Sequence, residues 1–316
     1  MSVLLPSVDN LSACRDRILD GHLIGLPTET VYGLAADATN GRAIAAIFAT
    51  KSRPDFNPLI SHAVDLPMAR QLGQFNDMAE KLAAAFWPGP LTLVVPRTAA
   101  CPVDRLACAG LDTIALRCPA HPVAQQLLQL VGRPLAAPSA NPSGRLSPST
   151  AAHVADMLPD IDVLDGGTAR IGLESTIIGC FDAVPVLLRS GGIARADIES
   201  CLGFALVDVP EGDDNEAKLA PGRLARHYAP KSGLLINVTE PQDECLLLGF
   251  GPDSPPSVVA NLSPSGNLVE AASQLFVQLH KYDAIALAEN KRLAIMPIPS
   301  VGLGEAINDR LTRAAA

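Results

Sequence analysis

Leu23-Ile24-Gly25-Leu26-Pro27-Thr28-Glu29-Thr30-Val31-Tyr32-Gly33-Leu34 runs from a short apolar segment straight into hydroxyls, one carboxylate and a glycine. Leu23 to Leu26 reads as a buried strand that stops at Pro27. The polar group that follows, Pro27 to Leu34, suits a ligand-binding turn or an ordinary turn capped by threonine. Composition alone does not choose between them.

Working outward, Asp9 to Leu19 has helical spacing, and Arg42 to Thr50 places Ile44, Ile47 and Phe48 at i, i+3 and i+4. Asn76 to Phe86 reads as a helix halted by Pro88-Gly89-Pro90. Further helices are expected at Val123 to Val131 and Ala151 to Met157. Leu59 to Val64, Leu91 to Val95, Thr113 to Arg117, Leu135 to Ala137, Val163 to Asp165, Thr176 to Cys180 and Val186 to Arg189 read as short strands. More strands than a simple βαβ alternation would give point to an α/β fold built on a mixed twisted sheet.

After this region comes Glu211-Gly212-Asp213-Asp214-Asn215-Glu216, an acidic run punctuated by glycine, which is a linker signal. Beyond it, Leu234 to Val238, Cys245 to Gly249 and Ala284 to Ala288 are strand candidates. Leu268 to Lys281 and Gly304 to Arg313 read as helices. The expected division is a first domain over 1–205, a linker over 206–231 and a smaller, Rossmann-like α/β domain over 232–316. A G-x-G-x-x-G turn is missing, so no dinucleotide site is expected there.

The 316 residues suit about two domains. With 48% hydrophobic and 18% charged residues, the chain has material for large cores and is not a disordered polymer. The net charge of −9 argues against a bulk electrostatic nucleic-acid binder. Seven scattered cysteines without a C-x-x-C pair suggest neither a zinc site nor a disulfide framework. They read as small buried hydrophobes in a reducing compartment. With no signal-peptide pattern at the start and no membrane-length apolar run, the chain reads as soluble and cytoplasmic.

Three further polar clusters sit at strand ends. Lys51-Ser52-Arg53-Pro54, followed by Asn57 and His62, sets two cations one residue apart, which suits a polyphosphate or simply a solvated basic helix end. Ala137-Pro138-Ser139-Ala140-Asn141-Pro142-Ser143-Gly144, continuing to Ser149, offers close backbone approach and many donors, or else a polar turn. Gly172-Leu173-Glu174-Ser175-Thr176 and Leu188-Arg189-Ser190-Gly191-Gly192 make the last cluster. Together they imply one anionic-ligand pocket in the first domain. A Walker A sequence, a G-x-S-x-G elbow and paired carboxylates at metal-ligand spacing are all lacking.

The strings P-T-E-T-V-Y-G-L, K-S-R-P with N-P-L-I and His62, P-S-A-N-P-S-G, and G-L-E-S-T-I occur at the order and intervals of the YrdC-like family, which this chain closely resembles. Ala220 to Pro230 (A-P-G-R-L-A-R-H-Y-A-P) and Gly302 to Leu311 (G-L-G-E-A-I-N-D-R-L) look like its longer, two-domain form. The resemblance implies a nucleotidyltransferase that condenses L-threonine, bicarbonate and ATP, its Mg²⁺ carried on the nucleotide, into threonylcarbamoyl-AMP and pyrophosphate. Partner proteins would then move the threonylcarbamoyl group to tRNAs reading ANN codons, so direct tRNA binding would be weak or absent.

By the same resemblance, Thr30, His62, Arg117, Ser139 and Ser175 surround threonine. Lys51, Arg53, Asn57, Thr113, Asn141, Ser149, Arg189, His227 and Tyr228 hold ATP, and the linker closes over the pocket. Lys51 and Arg53 would be catalytic, offsetting charge on the phosphates, and Arg117 would grip the threonine carboxylate as a bidentate fork. Two other readings compete. A non-catalytic RNA-binding module is disfavoured by the net charge and by only 4% aromatic residues. A carbamoyl transferase within a larger maturation enzyme is disfavoured by the lack of zinc-finger and acylphosphatase-like segments.

Overall fold

A computed structural model describes residues 2–53, 57–209 and 227–316. Eleven short strands of the first region make one mixed sheet. They are β1 (Val3–Leu4), β2 (Ile24–Leu26), β3 (Gly33–Asp37), β4 (Ile60–His62), β5 (Leu91–Pro96), β6 (Thr113–Arg117), β7 (Leu135–Ala136), β8 (Asp162–Leu164), β9 (Thr176–Gly179), β10 (Val186–Arg189) and β11 (Val207–Asp208). Their order across the sheet is β1-β8-β2-β3-β7-β4-β6-β5-β9-β10-β11. Parallel pairs such as β4 with β6 and β5 with β9 alternate with antiparallel pairs such as β5 with β6 and β9 with β10. The mixed sheet expected from the sequence is therefore present, and strand ends from distant parts of the chain meet at its centre.

Local chemistry fixes the helices around it. In α1 (Val8–Leu19) the Ser7 side chain caps the first turn, and Leu11, Cys14 and Ile18 face inward. α2 (Gly41–Lys51) is capped by Asn40, whose side chain accepts from the amides of Arg42 and Ala43. Its buried Ile44, Ile47 and Phe48 are the triplet read from the sequence. Ser52 ends it in the left-handed region, at φ 49°, and turns the chain so that Arg53 leaves the helix axis. α3 (Leu66–Leu72), α4 (Asp77–Phe86), α5 (Pro122–Val131), α6 (Ala151–Met157) and α7 (Arg195–Leu202) complete the layer.

The second region carries a four-stranded parallel sheet in the order β12 (Leu234–Leu235), β15 (Arg292–Ile295), β13 (Cys245–Gly249), β14 (Ala260–Asn261), with α8 (Leu268–Ala288) and α9 (Gly304–Ala315). The strand expected at Ala284 to Ala288 is instead the last part of α8. Burial of Leu275, Phe276, Leu279, Asp283 and Ala286 continues the helical period through it. A short apolar run does not separate strand from buried helix by itself. Asp283, inside that helix, also accepts from the backbone amides of Lys231 and Ser232. The third main strand is Arg292–Ile295.

The two regions share a core. Val31, Leu146 and Leu173, from three loops of the first region, pack in one apolar cluster with Tyr228, Leu275, Phe276 and Leu279. Gly172, at φ +73°, lies so close to α8 that a Cβ there would stand 2.4 Å from the Ala272 carbonyl oxygen. The loops that end the strands are thus gripped from outside by the second region.

The linker expected over 206–231 lies largely outside the described residues. Of its start, Val207–Asp208 pairs in parallel with β10. No helix among the described residues is long and apolar enough to cross a membrane. Four cysteines are buried and three half-buried, all free.

Candidate active site

The central strand ends enclose a cavity lined by Thr30, Arg53, His62, Arg117, Ser139, Ser175, Arg189, His227 and Tyr228, with Thr28, Ile60 and Glu174 among the rest. Nine residues read from the sequence as ligand contacts thus converge from segments as far apart as 30 and 228.

The turn after β2 is built by its own hydroxyls. Thr28 Oγ1 donates to the Val31 carbonyl at 2.6 Å and meets Thr30 Oγ1 at 2.8 Å. Arg117, the last residue of β6, donates from one Nη to Thr30 Oγ1 at 2.8 Å, from the other to Glu29 Oε1 at 2.6 Å, and from Nε to the Gly89 carbonyl at 3.1 Å. The fork expected to grip a substrate carboxylate is largely committed to Glu29 and Thr30. Two of its five N–H groups remain. Burial alone would raise the Glu29 carboxyl, but the charge and hydrogen bond of Arg117 outweigh it and hold it below the ordinary value.

His62 closes β4 and is fully enclosed. Burial first, then the charge of Arg117, pushes its imidazole down to about 3, so it is neutral at physiological pH. Among the described residues its Nδ1 has no hydrogen-bond partner, and neither has Glu29 Oε2. Orphaned polar atoms in such a place are what a polar ligand would satisfy.

On the facing side, Ser175 Oγ meets Thr92 Oγ1 at 2.7 Å. Arg189 donates to the Ser175 carbonyl at 2.9 Å and to its hydroxyl at 3.2 Å. This requires the chain after Arg189 to pass under the Glu174–Ser175 backbone. Gly191 permits it, since a Cβ there would lie 2.4 Å from the Glu174 carbonyl oxygen. Arg53 reaches the cavity with its guanidinium braced on the carbonyls of Asn57 and Pro58 at 3.1 and 3.0 Å. Burial and the neighbouring Arg189 lower it to about 10. A buried guanidinium, Arg189, and a half-buried one, Arg53, repel one another and form a site whose energy falls when a polyanion enters.

The remaining expected residues stand behind or beside the cavity. Lys51 is buried, and its Nζ donates to the Ser139 carbonyl at 2.6 Å and to the Asn141 carbonyl. It latches the Ser139–Asn141 loop to α2, and burial followed by the charge of Arg53 lowers its pKa. Asn57 is buried and gives its carbonyl to Arg53. Asn141 holds the Pro142 and Arg145 carbonyls through Nδ2, while its Oδ1 has no partner among the described residues. The buried Ser149 hydroxyl likewise has no partner among the described residues. Thr113 starts β6 on the face that Arg117 shares, ~13 Å away by strand rise, and does not reach the described cavity wall.

Sequence reading gave no role to Glu29, Thr92, Glu174 or Arg310. Glu174 accepts from the Ser147 hydroxyl and from Arg310 Nε at 2.7 Å. Burial would raise its carboxyl, but Arg310, then Arg189 and the Ser147 bond, hold it at about 2. Both glutamates lie inside quoted strings, so their position was visible. Their partners, 88 and 136 residues away, were not. Among the described residues no cluster of three or more His, Cys, Asp or Glu could hold a metal ion.

Comparison with known proteins agrees with this geometry. The family model Sua5–YciO–YrdC, described as telomere recombination, matches residues 16–191. A second, described as threonylcarbamoyl-AMP synthase, C-terminal domain, matches residues 193–316. The chain is 44% identical over 232 residues to the threonylcarbamoyl-AMP synthase of Bacillus subtilis (71% of this chain, 65% of the relative). It is 45% identical over 231 residues to that of Pyrococcus abyssi (72% and 67%). The aligned stretch thus spans about two thirds of these curated relatives. The solved structure of P. abyssi Sua5 complexed with L-threonine superposes with a TM-score of 0.89 at 35% identity, covering 100% of this chain and 98% of that one. Matched over both regions, the chain belongs to the Sua5–YciO–YrdC family, in the form that carries the additional C-terminal domain.

Proposed function

We propose that the chain is an L-threonylcarbamoyladenylate synthase, condensing L-threonine, bicarbonate and ATP into threonylcarbamoyl-AMP and pyrophosphate. The observation that carries this reading is the cavity itself, whose wall brings the hydroxyls of Thr30, Ser139 and Ser175 together with Arg53 and Arg189, two guanidiniums that repel one another. The L-threonine bound to the P. abyssi relative supports the amino-acid half.

The chemistry needs positioning more than covalent help. The neutral amine of threonine attacks the carbon of carbon dioxide, delivered as bicarbonate with loss of water, and gives up a proton. A carbamate oxygen then attacks the α-phosphorus, and pyrophosphate leaves in line. Thr30, His62, Arg117, Ser139 and Ser175 hold threonine, with Arg117 contributing its two remaining N–H groups. Arg53 and Arg189 offset charge on the phosphates, with His227 and Tyr228 as the wall. Lys51, Asn57, Asn141 and Ser149 shape the nucleotide end from behind, and Thr113 would meet only its far part. Glu174, in the cavity wall, and Glu29, beside Thr30, are already paired with arginines. Mg²⁺ therefore comes as part of the metal–ATP substrate, on phosphate oxygens.

A carbamate hydrolyses readily, so a cover over the cavity has a physical purpose; the linker expected to supply it lies largely outside the described residues. The adenylate would pass to transferase proteins acting on tRNA in the cytoplasm, with little direct tRNA contact by this acidic chain. Pyrophosphate release from ATP tests the reading. It should require both threonine and bicarbonate. Release that ignores threonine, or none at all, overturns the reading.

A further inference from the structure

The C-terminal motif Gly302 to Leu311 lies outside the cavity, yet one of its side chains reaches the cavity wall. Arg310, on α9, is 1% exposed and the largest fully buried side chain described. Its Nε donates to Glu174 at 2.7 Å, one Nη to the Ser190 carbonyl at 2.9 Å, and the other to Asp309. Two of these anchors sit on loops that flank Ser175 and Arg189. The guanidinium carbon also stands 5.1 Å from the ring centroid of Tyr228.

Tyr228 is itself held unusually. Its backbone is in the left-handed region at φ 63°, which a bulky aromatic adopts only when its surroundings impose it. Its ring packs on Phe276 at 5.8 Å and edge-on to His227 at 4.0 Å. The backbone amide of His227 donates to the Arg313 carbonyl, one turn from Arg310, at 3.1 Å. Both His227 and Tyr228 line the cavity.

We propose that Arg310 is a positioning residue of the cavity: from the second domain it fixes the His227–Tyr228 wall against the Glu174–Ser175 and Arg189–Ser190 loops. The cationic face under the Tyr228 ring favours one ring position, and the guanidinium fork ties that position to the loops that carry Ser175 and Arg189. An arginine that merely joined two domains would need neither the ring contact nor a neighbour in the left-handed region. The proposal concerns the wall itself, and it stands or falls independently of which substrates enter.

The histidine reports on it. Glu174, Lys51, Arg53 and Arg310 all face His227, yet burial is the largest influence and pushes its imidazole down to about 3. Isotope-edited NMR of the histidine rings in the full chain, over pH 4 to 8, follows the six histidines. In the wild type, His227 should not titrate in that range. The test variant is Arg310→Met combined with Glu174→Gln. It removes one positive and one negative neighbour together, so any rise in the His227 midpoint reports exposure rather than charge. The double variant should show His227 titrating near ~6.5, its solvent value, while His62 stays silent. A folded double variant with a silent His227 overturns the proposal. So does a double variant that cannot fold, since Arg310 would then be structural only. Arg310→Lys, which keeps the charge but loses the fork, should leave His227 partly exposed, with a midpoint between those of the wild type and the double variant. A wild type that releases no pyrophosphate but shows this His227 behaviour would count against the proposed function and not against the role of Arg310.

Discussion

Arg117 holds Glu29 at 2.6 Å, with both side chains about one-twentieth exposed. The pair joins the end of β6 to the turn after β2, and Thr30 is drawn in by the same guanidinium. The Thr28–Thr30 side of the cavity is therefore set by a buried ion pair. Removing the cation would leave a buried carboxylate without compensation.

Arg117→Met should lower unfolding free energy by about 3–5 kcal/mol, the cost of breaking a buried pair from one side. Glu29→Gln, which keeps shape and one acceptor, should cost less. Urea unfolding of the two variants checks the order. An Arg117→Met loss under about 1 kcal/mol would be the behaviour of an exposed pair and would contradict the geometry.

Acid should weaken the fold through Glu174. Its folded value of about 2 lies below the ordinary 4.5, so the stability it confers is present above pH 4.5 and lost as pH falls toward 2. The difference corresponds to about 3 kcal/mol at 1.36 kcal/mol per unit. Stability of the wild type measured from pH 5 to pH 3 should fall more steeply than that of Glu174→Gln. Parallel slopes would show that Arg310 does not hold the carboxylate ionised.

His62 should contribute no limb to the pH dependence of kcat/KM between pH 5 and 8, because burial and Arg117 keep it neutral throughout. Its ring resonances should begin to shift only near pH 3. A His62 midpoint near ~6.5 would mean that the ring reaches water, against its enclosure here.

Lys51 and Arg53 should fail in different ways. Lys51→Met leaves the Asn141 carbonyl without its donor, at about 1–3 kcal/mol, while the Ser139 carbonyl keeps only the Asn141 amide. Its melting temperature should drop along with its turnover. Arg53→Met removes a charge that faces the cavity and should cut kcat/KM for ATP by about tenfold or more, with a smaller effect on melting. Equal melting losses in both would remove the distinction between latch and contact.

Much of this was legible in the chain. Ile44, Ile47 and Phe48 declared α2 by their spacing, and Pro27 marked where β2 ends and the Thr28–Thr30 turn begins. The hydroxyl and cationic strings named most of the cavity because strand ends collect polar residues. What stayed hidden depends on tertiary pairing. Nothing in the neighbourhood of Lys51 reveals that its ammonium faces two carbonyls of a loop that begins 88 residues later. Ala284 to Ala288 is apolar enough for a strand, and only packing against the parallel sheet decides for helix. Arg310 reads as an ordinary charge in an amphipathic terminal helix until Glu174 and Tyr228 are found beside it.

The proposed function requires hydroxylic and cationic groups from distant segments to form one cradle for threonine and a triphosphate. A crystal structure of the full chain with L-threonine and a non-hydrolysable ATP analogue tests it most directly. Threonine is expected against Thr30, Arg117 and Ser175, with the phosphates between Arg53 and Arg189. Ligands bound at any other place, with this cavity filled only by water, would contradict it.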